Sequence, residues 1–312
     1  MNTKRTMQQY LALFFKGMMM GAADVVPGVS GGTVAFITGI YEELINTIKS
    51  FNLGSLKVLF AEGPKAFWQQ VNGTFLLVLL AGIITSIATI ASAVIFLLAN
   101  YPIHLWSFFF GLILASVWLV MSHIEKWDLN LISSFVLGSL VAYLVTSLAP
   151  VSVEPTALMV FVSGAIAICA MILPGISGSF ILLLLGMYAH ILAAVKGVDL
   201  QLIGLFLLGC VVGIMSFSRM LSWMFSHHRQ MTLALLAGFM LGSLNKVWPW
   251  KYTLAYTLNR HGEQVPLQQE NILPWHFESM TGSPSYLILA GALMLLGIAI
   301  IVVMERFQAA KG

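Results

Sequence analysis

Long apolar runs separated by short polar breaks dominate the chain. Apolar stretches at about 74–99, 104–121, 129–148, 200–225, 231–247 and 286–304 are each long enough, at about 1.5 Å per residue, to cross a hydrocarbon core of about 30 Å as a helix. Two further runs are interrupted midway. Residues 10–26 are stopped at Pro27-Gly28 and resume over 30–48; residues 156–173 are stopped at Pro174-Gly175 and resume over 177–195. Proline disfavours a helical residue before it, so each interrupted run predicts a broken, re-entrant hairpin rather than a span. The polar stretch 49–73 predicts an interfacial amphipathic segment. The long loop 248–284, with Trp248, Trp250, Tyr252, Tyr256, Trp275 and Phe277, predicts a segment lying at the membrane surface.

The two breaks are copies of one motif. Asp24-Val25-Val26-Pro27-Gly28-Val29-Ser30-Gly31-Gly32-Thr33 answers to Leu173-Pro174-Gly175-Ile176-Ser177-Gly178-Ser179-Phe180, with the prolines 147 residues apart. At that offset Gly17, Gly28, Ser30, Gly31, Gly39 and Tyr41 meet Gly164, Gly175, Ser177, Gly178, Gly186 and Tyr188. Further on, Gly82 pairs with Gly209 and Gly111 with Gly238, both 127 apart, and Gly138 with Gly291, 153 apart. The expected fold is therefore an all-α polytopic membrane protein, one membrane domain of two repeats. Residues 1–150 hold a hairpin at about 10–48 and three spans; residues 151–312 hold a hairpin at about 156–195 and three spans. Three spans reverse sidedness, so the repeats are expected in inverted topology, an arrangement common in secondary transporters.

Charge fits that layout. Of the Lys and Arg residues, 11 fall on the N-terminal side of the predicted membrane (Lys4, Arg5, Lys16, Lys49, Lys57, Lys65, Lys126, Arg219, Arg229, Arg306, Lys311) and 4 on the other (Lys196, Lys246, Lys251, Arg260). Both termini are then expected in the cytoplasm. The composition, 59% hydrophobic and 9% charged with mean hydropathy +0.92, stands far from the roughly 25% charge of soluble domains. A net charge of +3 gives no reason to expect a nucleic-acid partner. Cys169 and Cys210 lie in apolar runs and read as reduced thiols. No His, Asp or Glu spacing reads as a metal site, and no cofactor is expected.

The candidate chemistry sits at the breaks. Irregular backbone at membrane depth must be buried in protein or line a cavity. After each Pro-Gly a helix restarts, capped by Ser30 or Ser177, leaving the amides of Gly31-Gly32-Thr33 and Gly178-Ser179 to face an anion. Two opposed helix starts would make a phosphate or carboxylate site; a kink serving close helix packing is the plainer alternative. Asp24 has no counterpart, because Met171 stands at its place. It either carries a coupling proton or is a carboxylate that caps the Ser30–Thr33 amides or pairs with a base. Arg219 either binds a phosphate or snorkels to the interface. Lys16 either joins the site or anchors the first arm.

Lys16-Gly17, Gly21, the two tip motifs, Gly39-Ile40-Tyr41, Gly186-Met187-Tyr188, Gly238, Gly242-Ser243 and Trp248-Pro249 resemble the signature of the undecaprenyl-phosphate (polyprenyl-phosphate) transporter family. This bacterial membrane family was long known only as a domain of unknown function. The resemblance covers nearly the whole chain. It implies a flippase of the bacterial cytoplasmic (inner) membrane that returns the carrier lipid between leaflets, with a polyprenyl-phosphate substrate, with protons as a possible coupling ion and with a homo-oligomer left open. Two other classes compete. Polyprenyl-pyrophosphate phosphatases also carry inverted repeats, but their tips bear a histidine and nearby glutamates that are missing here. A small-anion secondary transporter would need the same tips without the lipid.

Overall fold

The computed structural model describes residues 5–26, 29–148, 150, 153–258 and 264–309; Pro27, Gly28, Lys4, Arg260 and Lys311 lie outside them. In chain order the helices are α1 (Met7–Asp24), α2 (Gly31–Ile37), α3 (Tyr41–Ser50), α4 (Leu53–Ala61), α5 (Pro64–Gln70), α6 (Gly73–Thr89), α7 (Ala91–Asn100), α8 (Pro102–Ser122), α9 (Leu129–Ser147), α10 (Ala157–Ile172), α11 (Gly178–Leu184), α12 (Tyr188–Gly197), α13 (Leu200–His227) and α14 (Arg229–Ser243). An antiparallel pair follows, β1 (Lys251–Leu258) and β2 (Gln264–Asn271), then α15 (Pro274–Thr281) and α16 (Leu287–Ala309).

Four helices, α8, α9, α13 and α16, are long and apolar enough to cross a membrane. Two bent pairs, α5 with α6 at 71° and α11 with α12 at 106°, raise the number of candidate spans to as many as six. Of the six expected spans, four are continuous. The one at 74–99 is interrupted at Ile90 between α6 and α7, and the one at 231–247 is α14, only 15 residues long.

The two interrupted runs are broken once more than the sequence suggested. Each return arm turns at a glycine with positive φ, Gly39 (74°) and Gly186 (68°), where a side chain would be strained. Both turns close alike. Gly39 N–H donates to Phe36 O and Ile40 N–H to Ala35 O, while Gly186 N–H donates to Leu183 O and Met187 N–H to Leu182 O. These are the crossed bonds that terminate a helix at a left-handed residue.

Small residues set the helix pairing. α1 packs on α6 and α10 on α13; α9 packs on α14 and α8 on α16. A Cβ on Gly17 would come 2.4 Å from Leu79 O and one on Gly82 2.2 Å from Phe14 O; on Gly164 and Gly209 it would meet Phe206 O at 2.4 Å and Phe161 O at 2.0 Å. These contacts superpose at offsets of 147 and 127 residues. The last helix pair differs from expectation. Gly291 meets nothing within 4 Å; instead Gly297 approaches Phe108 O and Gly111 approaches Met294 O, as Gly138 approaches Leu235 O and Gly238 approaches Phe135 O. The matching offset is therefore 159, with Gly297 answering to Gly138. Sequence alone favoured Gly291 because a glycine stood there too.

Outside the bundle, α4 and α5 hold out Leu53, Phe60 and Trp68, as an interfacial segment would. The 248–284 stretch departs from the expected surface loop: it forms the β-hairpin and α15. Trp250 (4% exposed) and Phe277 (7%) are core residues packed with Ile103 and Ala290. Trp248 and Trp250 pin it down by donating to Ile272 O and Ser285 O, both at 2.8 Å.

Candidate functional site

At the first tip, α1 ends on Asp24 and α2 restarts at Gly31 behind an extended Ser30 (φ −121°, ψ 133°). Gly31 N–H donates to Asp24 Oδ1 at 2.7 Å, Gly32 N–H to Ser30 Oγ at 3.1 Å, and Thr33 N–H to Ser30 O at 2.9 Å. The three amides expected to face an anion are thus satisfied by the chain itself. The carboxylate one turn before the break reaches the helix start first, where the backbone partial charge is positive. A Cβ on Gly31 would lie 2.5 Å from Asp24 Oδ2, so the cap needs glycine there.

The second tip is built alike but lacks that cap. Gly175 has φ +91°, and its Cβ would strike Ser243 Oγ at 2.6 Å. Ser177 makes no capping bond; its hydroxyl is paired with Ser179 Oγ at 2.8 Å. Where Asp24 stands in the first copy, Met171 presents a methylene 3.3 Å from the Cβ position of Gly178. The amides of Gly178 and Ser179 have no acceptor among the described residues.

The tips touch one another. Ser30 Oγ lies 3.1 Å from Met171 O and 3.2 Å from Leu173 O, and Gly175 N–H donates to Thr33 Oγ1 at 2.8 Å. A Cβ on Gly32 would meet Ile172 O at 2.4 Å. Ser30 and Thr33 are fully buried, Ser177 nearly so, and Ser179 is exposed. The structure therefore brings Ser30, Gly32 and Thr33 against the end of α10 and Gly175, with Asp24 and Gly31 joined to each other behind them.

The two expected cations stand apart from it. Lys16 Nζ donates to Thr38 O at 2.6 Å, closing the far end of α2. Arg219 Nη1 donates to Met215 O at 2.6 Å, one turn back on its own helix. Each basic side chain takes a backbone carbonyl near it in place of a position at the tips. Cys169 and Cys210 are free thiols, each against a glycine carbonyl of the facing helix. Among the described residues no cluster of three or more His, Cys, Asp or Glu could hold a metal.

Cavities flank the tips at opposite ends of α14. At its start, about 590 Å³ lies beside Phe36, Tyr41, Glu42, His123, Arg229 and Glu305, with Arg229 Nη2 paired to Glu42 at 2.9 Å. At its end, about 440 Å³ lies beside Phe180, Lys246, Lys251 and Glu270. Lys246 Nζ sits 4.3 Å over the Phe180 ring and Lys251 Nζ 4.2 Å over the Trp106 ring. Burial pushes the Lys251 ammonium down to about 7, helped by the like charge of Lys246. Sequence reading placed these lysines only as charges on one side of the membrane. The signal that could have found them is their spacing beside Trp248-Pro249-Trp250, which fixes the strand start against α8.

The family described as undecaprenyl phosphate translocase-like matches residues 20–265. A polyprenyl-phosphate transporter of Vibrio cholerae serotype O1 is 52% identical over 298 residues, covering 96% of this chain and 97% of that protein. A polyprenyl-phosphate transporter of Staphylococcus aureus is 32% identical over 263 residues, 78% of this chain and 88% of that one. No solved structure matches.

Proposed function

The chain belongs to the undecaprenyl phosphate translocase-like family, and from that premise we propose that it moves a polyprenyl phosphate between membrane leaflets, its phosphate passing at the contact between the two tips. The observation that carries this reading is the asymmetric junction of the tips. One start of helix is closed by Asp24; at the other, the amides of Gly178 and Ser179 have no acceptor among the described residues. A phosphate at that junction would exchange bonds with Ser30, Gly31, Gly32, Thr33, Ser177, Gly178 and Ser179, with Pro174 and Gly175 setting the second break; Pro27 and Gly28 lie outside the described residues. Lys16 and Arg219 act from the flanks, in line with their carbonyl bonds, and Asp24 is where a proton would couple.

Burying a methylene is worth about 0.8 kcal/mol, so a tail of tens of apolar carbons stays in the bilayer while the headgroup crosses. Equivalent glycine contacts at matched offsets support two repeats, 1–150 and 151–312. The excess of Lys and Arg on the N-terminal side supports inverted topology, with both termini in the cytoplasm of a bacterial cell.

The test is native mass spectrometry of the purified chain for a co-purified lipid phosphate. Wild type retains it, and the Ser30→Ala/Ser177→Ala variant loses most of it. Equal retention by the double variant would sink the site at the tips.

A further inference from the structure

We infer that the cavity at the C-terminal end of α14 is a separate loading site for a phosphate monoester carried on a lipid, held by Lys246 and Lys251. Two ammonium groups share this cavity of about 440 Å³, and neither lies within 4 Å of a carboxylate among the described residues. Glu270, the one acidic residue of its lining, is not paired to them. Each lysine rests on an aromatic face, Phe180 or Trp106, and Lys251 Nζ also donates to the Lys246 backbone oxygen. A neutral carbonyl satisfies one N–H of Lys251 but cancels no charge, so two like charges held together away from water call for an anion between them. Burial lowers the basicity of both lysines, most for Lys251.

The ligand is an amphiphile. An apolar groove of about 630 Å³ adjoins the cavity and shares Tyr143, Asn245 and Asn271 with it; Phe110, Leu140 and Leu241 continue it. A phosphate on the lysines leaves an isoprenoid chain in that groove. Phe180, which carries Lys246, stands two residues beyond Gly178 on α11, so the cavity abuts the second tip. The place in transport, as the point where the headgroup waits before the tips, rests on the translocase reading; the binding site itself does not.

The test is equilibrium binding to the purified full-length chain in detergent, with farnesyl monophosphate, farnesol and inorganic phosphate as probes and tryptophan fluorescence as readout. Farnesyl monophosphate is expected to bind, with farnesol and inorganic phosphate each weaker by about tenfold or more. Lys246→Met and Lys251→Met should each weaken it by about tenfold or more, the usual worth of a hydrogen bond to a charged group. Lys→Arg at either position should hold affinity, and Glu270→Gln should raise it. Lys251→Met also gives up the hydrogen bond to Lys246 O, so thermal melts identify the folded variants whose binding is compared. Folded lysine variants that bind as wild type would overturn the site, and inorganic phosphate binding as tightly as farnesyl monophosphate would overturn the lipid assignment. A chain that shows this lysine-dependent binding yet moves no lipid in vesicles would contradict the translocase reading and leave the site standing.

Discussion

Thr33→Val removes one oxygen from the contact between the tips and little else. The two side chains are nearly equal in volume, and Thr33 is fully buried. The lost atom is the acceptor for Gly175 N–H at 2.8 Å. Gly175 is also buried, so its amide would be left without a partner. Such a group costs about 1–3 kcal/mol, which is roughly 5- to 150-fold in the equilibrium between tips together and tips apart. The bond of Ser30 Oγ to Met171 O or Leu173 O remains, so contact persists in a weaker form. Hydrogen exchange read by mass spectrometry on peptides spanning 171–180 should accelerate within that range. Peptides from α9 and α16 should not change, and Thr33→Ser, which keeps the oxygen, should stay near wild type. Unchanged exchange at 171–180 in a folded Thr33→Val chain would refute the claim that this hydroxyl holds the second tip.

Asp24→Ala should lower the melting free energy by about 0.5–2 kcal/mol, the worth of a helix cap, while Asp24→Asn keeps an acceptor for Gly31 N–H and should melt closer to wild type. If Asp24 couples a proton, Asn at that position also abolishes the response of reconstituted transport to a pH gradient, and an unaltered response excludes the role. Gly209→Ala places a methyl 2.0 Å from Phe161 O and should destabilise by about 1–3 kcal/mol through overpacking; Gly204→Ala, with nothing within 4 Å, should be neutral or stabilising, and thermal melts separate the two. Lys251 has a folded-state pKa of about 7 against an ordinary 10.5. Between those values the unfolded chain binds the extra proton, so this residue makes stability rise with pH across that window and contributes no further slope above it. The groups around it are Lys246 and Glu270, and Lys251→Met should flatten the rise in denaturant midpoints measured from pH 7 to 10.

Much of the bundle could be read from hydrophobic run length, because spans such as α8, α9, α13 and α16 need little beyond continuous apolar sequence. The breaks were legible through Pro-Gly and through the doubling of the motif. The second break of each return arm was not, although Gly39 and Gly186 were matched; a lone glycine does not announce a left-handed turn inside an apolar run. The β-hairpin was hidden because aromatic and β-branched residues over 251–258 serve a membrane surface and a strand equally well. At the site, the serines and glycines were legible as a pair of tips. That Asp24 closes the amides of its own tip depends on a 2.7 Å approach that spacing allows but does not dictate. The displacement of Lys16 and Arg219 from the tips follows from carbonyls within their reach, which only the fold positions. Gly297, and not Gly291, makes the contact that matches Gly138 because the extra length between Gly238 and Gly297 shifts register without changing composition.

The central claim is tested most directly in vesicles. Proteoliposomes carrying the purified chain and a fluorescent polyprenyl phosphate are treated with a membrane-impermeant quencher, and the protected inner-leaflet fraction is followed with time. Chain-dependent loss of protection is predicted. It should slow when Gly32→Leu fills the junction, where even a Cβ would lie 2.4 Å from Ile172 O. Protection that decays no faster than in protein-free vesicles, or equally fast with the junction filled in a folded chain, would contradict passage of the phosphate between the tips.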